Sequence, residues 1–196
     1  MKVHMANLQF YAVLTLVVFL SFALQFKVVL PLETVLLPHM DLQYASLLFL
    51  PHGIGVLLAF LLGVYALPVL YLARLVASFW FMGGGLDEAM ITAALGTLAC
   101  FLPVVVLNFL TRQPWHVGPG MQDSGRLSPF RLLILLVVLS TLLNSLLHSY
   151  YYAGVSGPEV AFRYLFGDMA GSFVVLAIFI ALRRKIASAV LLFHRE

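Results

Sequence analysis

Apolar residues fall into six long runs, and polar and charged residues gather between them. Crossing about 30 Å of hydrocarbon takes roughly 20 predominantly apolar helical residues. The stretches 8–30, 42–62, 67–83, 88–111, 129–153 and 159–182 are of that order. Only Gly63-Val64-Tyr65-Ala66 joins the second to the third, which predicts a tight antiparallel pair. The fourth and fifth flank one substantial loop, 112–128, rich in Gly, Pro and polar residues. The first run is long for a signal-peptide core and lacks a small-residue cleavage site, so it reads as a retained helix. The pattern predicts an all-α polytopic bundle over 1–182, with a basic tail, 183–196, suited to a short interfacial helix.

Composition identifies the solvent. Hydrophobic residues make up 63% and charged residues 10% of the 196, against about 45–50% and about 25% in soluble domains. Too few charges remain to cover a water-exposed surface, so lipid is the expected surrounding. The single Cys100 lies in an apolar run and carries no disulfide framework.

Charge placement predicts an orientation. Lys2 precedes the first run, Arg112, Arg126 and Arg131 bracket the long loop, and Arg183, Arg184, Lys185 and Arg195 follow the last run. The alternate connections carry Glu33 and Asp41, then Asp87 and Glu88, then Glu159. Lysine and arginine accumulate on the cytoplasmic side, so six passes with both termini in the cytoplasm of a bacterial inner membrane fit the alternation. The net charge of +3 is thus a topology signal, and no interleaving of basic and aromatic residues points to nucleic acid.

Ionisable residues within a span face the bundle interior and are often functional. His52 lies halfway along the second run, in Leu50-Pro51-His52-Gly53, and Asp168 near the middle of the sixth. Both are about 14–15 Å from the outer ends of their runs, counting 1.5 Å per residue. Asn144 reaches a similar depth, and Arg74 comes within a turn or two. The candidate ligand-binding set is therefore His52, Gly53, Asp168, Asn144 and Arg74. Pro51 and Gly53 together predict a kink or break in the second helix at mid-membrane, with a new half-helix directing free N–H groups at a cavity.

The same residues also have a structural reading. A buried Asp–Arg pair can hold helices in register, and intramembrane asparagines often serve as interhelical hydrogen-bond links. Gly167-xxx-Gly171 and Gly55-xxx-Ala59-xxx-Gly63 read first as faces for close helix packing. Catalytic signatures are missing: no G-x-S-x-G elbow, H-E-x-x-H pair, phosphate loop or C-x-x-C is present. No metal set stands out, the depths of His52 and His148 argue against a haem pair, and the cofactor is unknown.

The stretch from Leu48 to Gly63, with Pro51-His52-Gly53-Ile54-Gly55 leading into Leu57-Leu58-Ala59-Phe60-Leu61-Leu62-Gly63, resembles the Pro-x-Gly segment of the first type of MASE domain. MASE domains are membrane-associated sensors of bacteria. Leu67-Pro68-Val69 opens the helix that follows this segment in the family, and Phe166-Gly167-Asp168-Met169-Ala170-Gly171 resembles its late Gly-Asp-x-x-Gly motif. The resemblance covers about residues 45–182. The family has more helices, often places Trp or another bulky residue before its proline, and usually carries a cytoplasmic kinase or cyclic-dinucleotide domain. Only residues 183–196 follow the last run here. The resemblance implies a stand-alone sensor-like module that acts through a separate membrane or cytoplasmic partner protein.

The expected function is recognition of a small ligand or a partner within the bilayer, without catalysis. Two alternatives share the same architecture. One is the substrate-binding S component of an energy-coupling-factor vitamin transporter; the other is an accessory subunit of a larger membrane complex.

Overall fold

The computed structural model describes residues 2–38, 46–83, 85–111, 129–153 and 159–193, with side chains placed over 8–38, 46–83, 85–111, 130–153 and 161–182. Asp41 and the loop 112–128 lie outside the described residues.

α1 (Lys2–Leu24) passes through a π-helical turn, Gln25–Val29, into α2 (Leu30–Leu36). Pro31 accounts for the wide turn. Proline has no N–H, and its ring crowds the carbonyl four residues back. In the widened turn the Leu30 N–H reaches the Gln25 carbonyl instead of the one four residues back. The extra residue also brings Gln25 into the bundle, where it is buried. The first helical stretch is therefore longer than the expected 8–30.

The second apolar run departs from the expected helix over 42–62. Residues 46–49 are non-helical, and α3 (Leu50–Leu62) begins with Pro51 in its first turn. Proline is favoured there because first-turn N–H groups lack intrahelical partners in any case. Pro51 thus starts a helix inside the bundle rather than kinking one that runs through it. Its 13 residues reach only about 20 Å.

Non-helical backbone at membrane depth must be satisfied by protein. Glu33 accepts the Leu48 N–H at 2.8 Å through one carboxylate oxygen. Its other oxygen takes the Ser46 hydroxyl at 2.8 Å and the Leu47 N–H at 3.3 Å. Gln25 accepts the Leu50 N–H at 3.1 Å and donates to Ser46 Oγ at 2.9 Å. The Phe49 N–H goes to the carbonyl of Gly167 at 2.9 Å. The segment before α3 is thus held by Glu33 and Gln25, which α2 and the π turn present to it, together with the Gly167 carbonyl.

A short 3-10 turn, Gly63–Tyr65, joins α3 to α4 (Ala66–Phe81). Gly63 has φ 58° and ψ −131° there, a backbone conformation open chiefly to glycine. The two helices fold back on each other. Gly55 lies against Leu70 and Arg74, while the far ends meet the same aromatic group. Phe49 sits 5.9 Å from Phe22, and Phe81 5.6 Å from Phe26.

α5 (Leu86–Thr111), α6 (Pro129–Tyr151) and α7 (Glu159–Phe193) complete the described bundle. α7 continues without a break to Phe193, so up to that residue the expected interfacial tail is backbone of the last helix. α3 is the innermost element, packed against α1, α4, α5, α6 and α7. Its contact with α7 needs small residues. A Cβ on Gly171 would overlap the Phe49 carbonyl, one on Gly167 the Ser46 carbonyl, and one on Gly53 would lie 2.6 Å from the Ser172 Cα.

Among the described residues, five helical stretches are long and apolar enough to cross a membrane: Leu8–Leu36, Leu50–Phe81, Leu86–Thr111, Phe130–Tyr151 and Ala161–Leu182. The second of these is the α3–α4 pair taken as one. The outer surface carries Leu16, Leu20, Trp80, Phe109, Leu146 and Phe166, all exposed. So large an apolar exterior is what lipid contact requires.

Candidate ligand cavity at the bundle centre

The first turn of α3 sets His52 fully inside the bundle, and α7 brings Asp168 to it: Nδ1 and Oδ2 are 3.9 Å apart. Asn144 of α6 donates its amide to the same Asp168 oxygen at 2.6 Å. Three of the residues singled out by depth are therefore in direct register.

The other side of His52 is organised by a proline. Pro103 lies inside α5 and cannot donate to the carbonyl of Ala99, four residues earlier. The Ser140 hydroxyl fills that vacancy at 2.9 Å. With its only proton so used, Ser140 Oγ must accept at 3.1 Å from His52 Nε2. This puts a proton on Nε2 of His52, and Nδ1 of the same ring faces Asp168 Oδ2 and Cys100 Sγ, each 3.9 Å away.

Arg74 enters from α4. One terminal nitrogen donates to Cys100 Sγ at 3.4 Å, and the Phe22 ring lies 5.8 Å from the guanidinium carbon. Gly55 and Gly96 make room for it: a Cβ on Gly96 would overlap the guanidinium, and one on Gly55 would come within 3.1 Å. Among the described residues no carboxylate lies within ion-pair distance of Arg74. The expected Asp168–Arg74 pair is not a direct contact.

Between these groups is a cavity of about 70 Å³. Phe22, Phe26, Phe49 and Met82 supply apolar wall, while Arg74, Asn144, His148, Tyr164 and Asp168 supply polar wall together with Gln25, Ser46, Ser78 and Thr92. His148 is held by its own helix, with Nδ1 at 3.0 Å from the Asn144 carbonyl, and its ring stacks 5.0 Å from Tyr164. His52 stands behind Asp168, and Gly53 backs onto Ser172 of α7; neither is on the cavity wall. The helix starts at Leu50 rather than at Gly53, and the N–H groups of Phe49 and Leu50 at its start are taken by Gly167 and Gln25.

Among the described residues, three buried atoms of lining residues have no hydrogen-bond partner: Arg74 Nε, Asn144 Oδ1 and Asp168 Oδ1. Their residues are 6%, 2% and 1% exposed. Leaving one such group unsatisfied costs about 1–3 kcal/mol, more when charged. All three belong to residues grouped around the one small cavity. The Cys100 thiol is buried and off the wall, so the cavity gives a substrate no access to it. Among the described residues, no group of three His, Cys, Asp or Glu side chains could hold a metal ion.

Ser140, Cys100, Tyr164, Gln25, Glu33 and Gly96 were not prominent in the sequence. Two signals point to some of them: Pro103 frees the carbonyl that captures Ser140, and Pro31 forces the turn that brings in Gln25. In comparisons with family models, curated proteins and solved structures, the chain matches none.

Proposed function

We propose that this is a sensor-like protein of the bacterial inner membrane that holds a small polar molecule in the central cavity and signals occupancy to a separate protein partner, without catalysis of its own. The unpartnered buried atoms of Arg74, Asn144 and Asp168 carry this reading. The resemblance to MASE domains at Pro51–Gly55 and Gly167–Gly171 supports the sensor assignment. The cavity size supports a small ligand over a vitamin. Pockets for drug-sized molecules run about 300–1,000 Å³, against about 70 Å³ here.

The proposed topology has six passes, α3 and α4 counting separately, with both termini cytoplasmic. The antiparallel fold of α3 on α4 supports the count. Eight of the 11 basic residues lie at the termini or around the long loop, which supports the sidedness. Lys27, Arg74 and Arg163 are the remaining three. Occupancy would act on Gln25 and Ser46, which line the cavity and hold the start of α3.

Native mass spectrometry of protein released from lipid nanodiscs tests the reading. Wild type should retain a small molecule that Asp168→Asn and Arg74→Gln lose. Identical spectra without added mass in all three would sink the ligand-binding reading and leave an accessory subunit, with a structural polar cluster, as the better assignment.

A further inference from the structure

We infer that the cavity occupant is dipolar, carrying one anionic and one cationic group and no larger than a short amino acid. This rests on the cavity reading above and names its ligand class.

The lining holds one guanidinium, Arg74, and one carboxyl, Asp168, and among the described residues Arg74 Nε, Asn144 Oδ1 and Asp168 Oδ1 have no hydrogen-bond partner. Of the Arg74 terminal nitrogens, one donates to Cys100 and the other lies in the notch at Gly96, and Phe22 covers a face of the guanidinium. Asp168 is likewise half-used, with Oδ2 held by Asn144 and facing His52. Each charged group therefore keeps hydrogen-bonding capacity that these partners do not use.

Arg74 and Asp168 are the cavity's only Arg or Lys and only carboxylic side chains among the described residues. They are beyond ion-pair contact, yet linked through Cys100 and His52 by successive contacts of 3.4, 3.9 and 3.9 Å. A lone anion could answer Arg74 but would face Asp168 across a low-dielectric space, and a lone cation would face Arg74. A molecule with both charges turns its carboxylate towards Arg74 and its ammonium towards Asp168. It brings no net charge into the bundle, so neither buried group is left uncompensated.

Size narrows the class. The cavity volume of about 70 Å³ corresponds to roughly five to seven water-sized sites, at about 10–15 Å³ each. Glycine, alanine and β-alanine are of that size. The rings of Phe22, Phe26 and Phe49 would lie along the short carbon chain.

The test is isothermal titration of the full chain in nanodiscs with glycine, L-alanine, β-alanine, acetate and methylammonium. At least one dipolar compound should bind about tenfold or more tighter than acetate or methylammonium. Arg74→Gln and Asp168→Asn should each weaken it by about thirtyfold or more, the usual effect of removing one partner from a buried charge pair. The ligand series on wild type needs no variant to fold. Acetate or methylammonium binding as tightly as the dipolar compounds would overturn the dipolar class and keep the cavity reading. So would a silent titration of a protein that retains some other small molecule in native spectra. A silent titration with no retained mass would overturn both.

Discussion

Ser140 has one proton to give and spends it on the Ala99 carbonyl, which Pro103 leaves free. Ser140→Ala would orphan that carbonyl and the His52 Nε2–H together, at about 1–3 kcal/mol for each unsatisfied group. The expected loss in reversible unfolding from mixed micelles exceeds the average of about 0.6 kcal/mol for an interhelical hydrogen bond in a membrane. Ser140→Thr keeps the hydroxyl and should recover much of the stability. Pro103→Ala restores an N–H to Ala99, so the Ser140→Ala/Pro103→Ala double variant should lose less than the two single effects combined. Strict additivity in that cycle would show that Ser140 and Pro103 are not coupled through Ala99.

At the scale of elements, the start of α3 depends on what α2 and α7 bring to it. Glu33 satisfies two backbone N–H groups that no helix provides for. Glu33→Ala should destabilise the fold and speed hydrogen exchange at Leu47 and Leu48, by about 1–3 kcal/mol per orphaned amide. Glu33→Gln keeps one acceptor oxygen and should fall between. Unchanged exchange at those amides in Glu33→Ala would argue against the clamp. On the α7 side, Gly171→Ala drives a methyl into the Phe49 carbonyl, and overpacking of this kind costs about 1–3 kcal/mol. Gly85→Ala is the control, because a Cβ there meets nothing within 4 Å. Equal stability of the two variants would remove close packing as the reason for Gly171.

For the molecule as a whole, the open question is which way each helix crosses. Tyr65 in the α3–α4 turn and Asp87 at the start of α5 are both exposed. In a Cys100→Ser background, a membrane-impermeant maleimide should label Tyr65→Cys from the cytoplasmic side only and Asp87→Cys from the outer side only. Labelling of both from one side would mean that α4 does not span, leaving five crossings if that side is the cytoplasm and four if it is the outside. This outcome tests sidedness without reference to the cavity.

The amino-acid order alone determined that the chain folds into long apolar helices, that His52, Asp168 and Asn144 share a level, and that Gly167 and Gly171 lie on a face of close helix packing. Hydrocarbon thickness and a rise of about 1.5 Å per residue make such features local and countable. Tertiary structure decided the rest. Pro51 reads locally as a kink in a helix from 42; it begins a helix because Glu33, Gln25 and Gly167 can satisfy the backbone before it. Arg74 and Asp168 read as an ion pair; Cys100, Gly55 and Gly96 hold the arginine elsewhere and open the cavity between them. Those outcomes depend on which side chains from distant segments meet. Hydropathy and spacing average over that choice, because each describes one segment at a time.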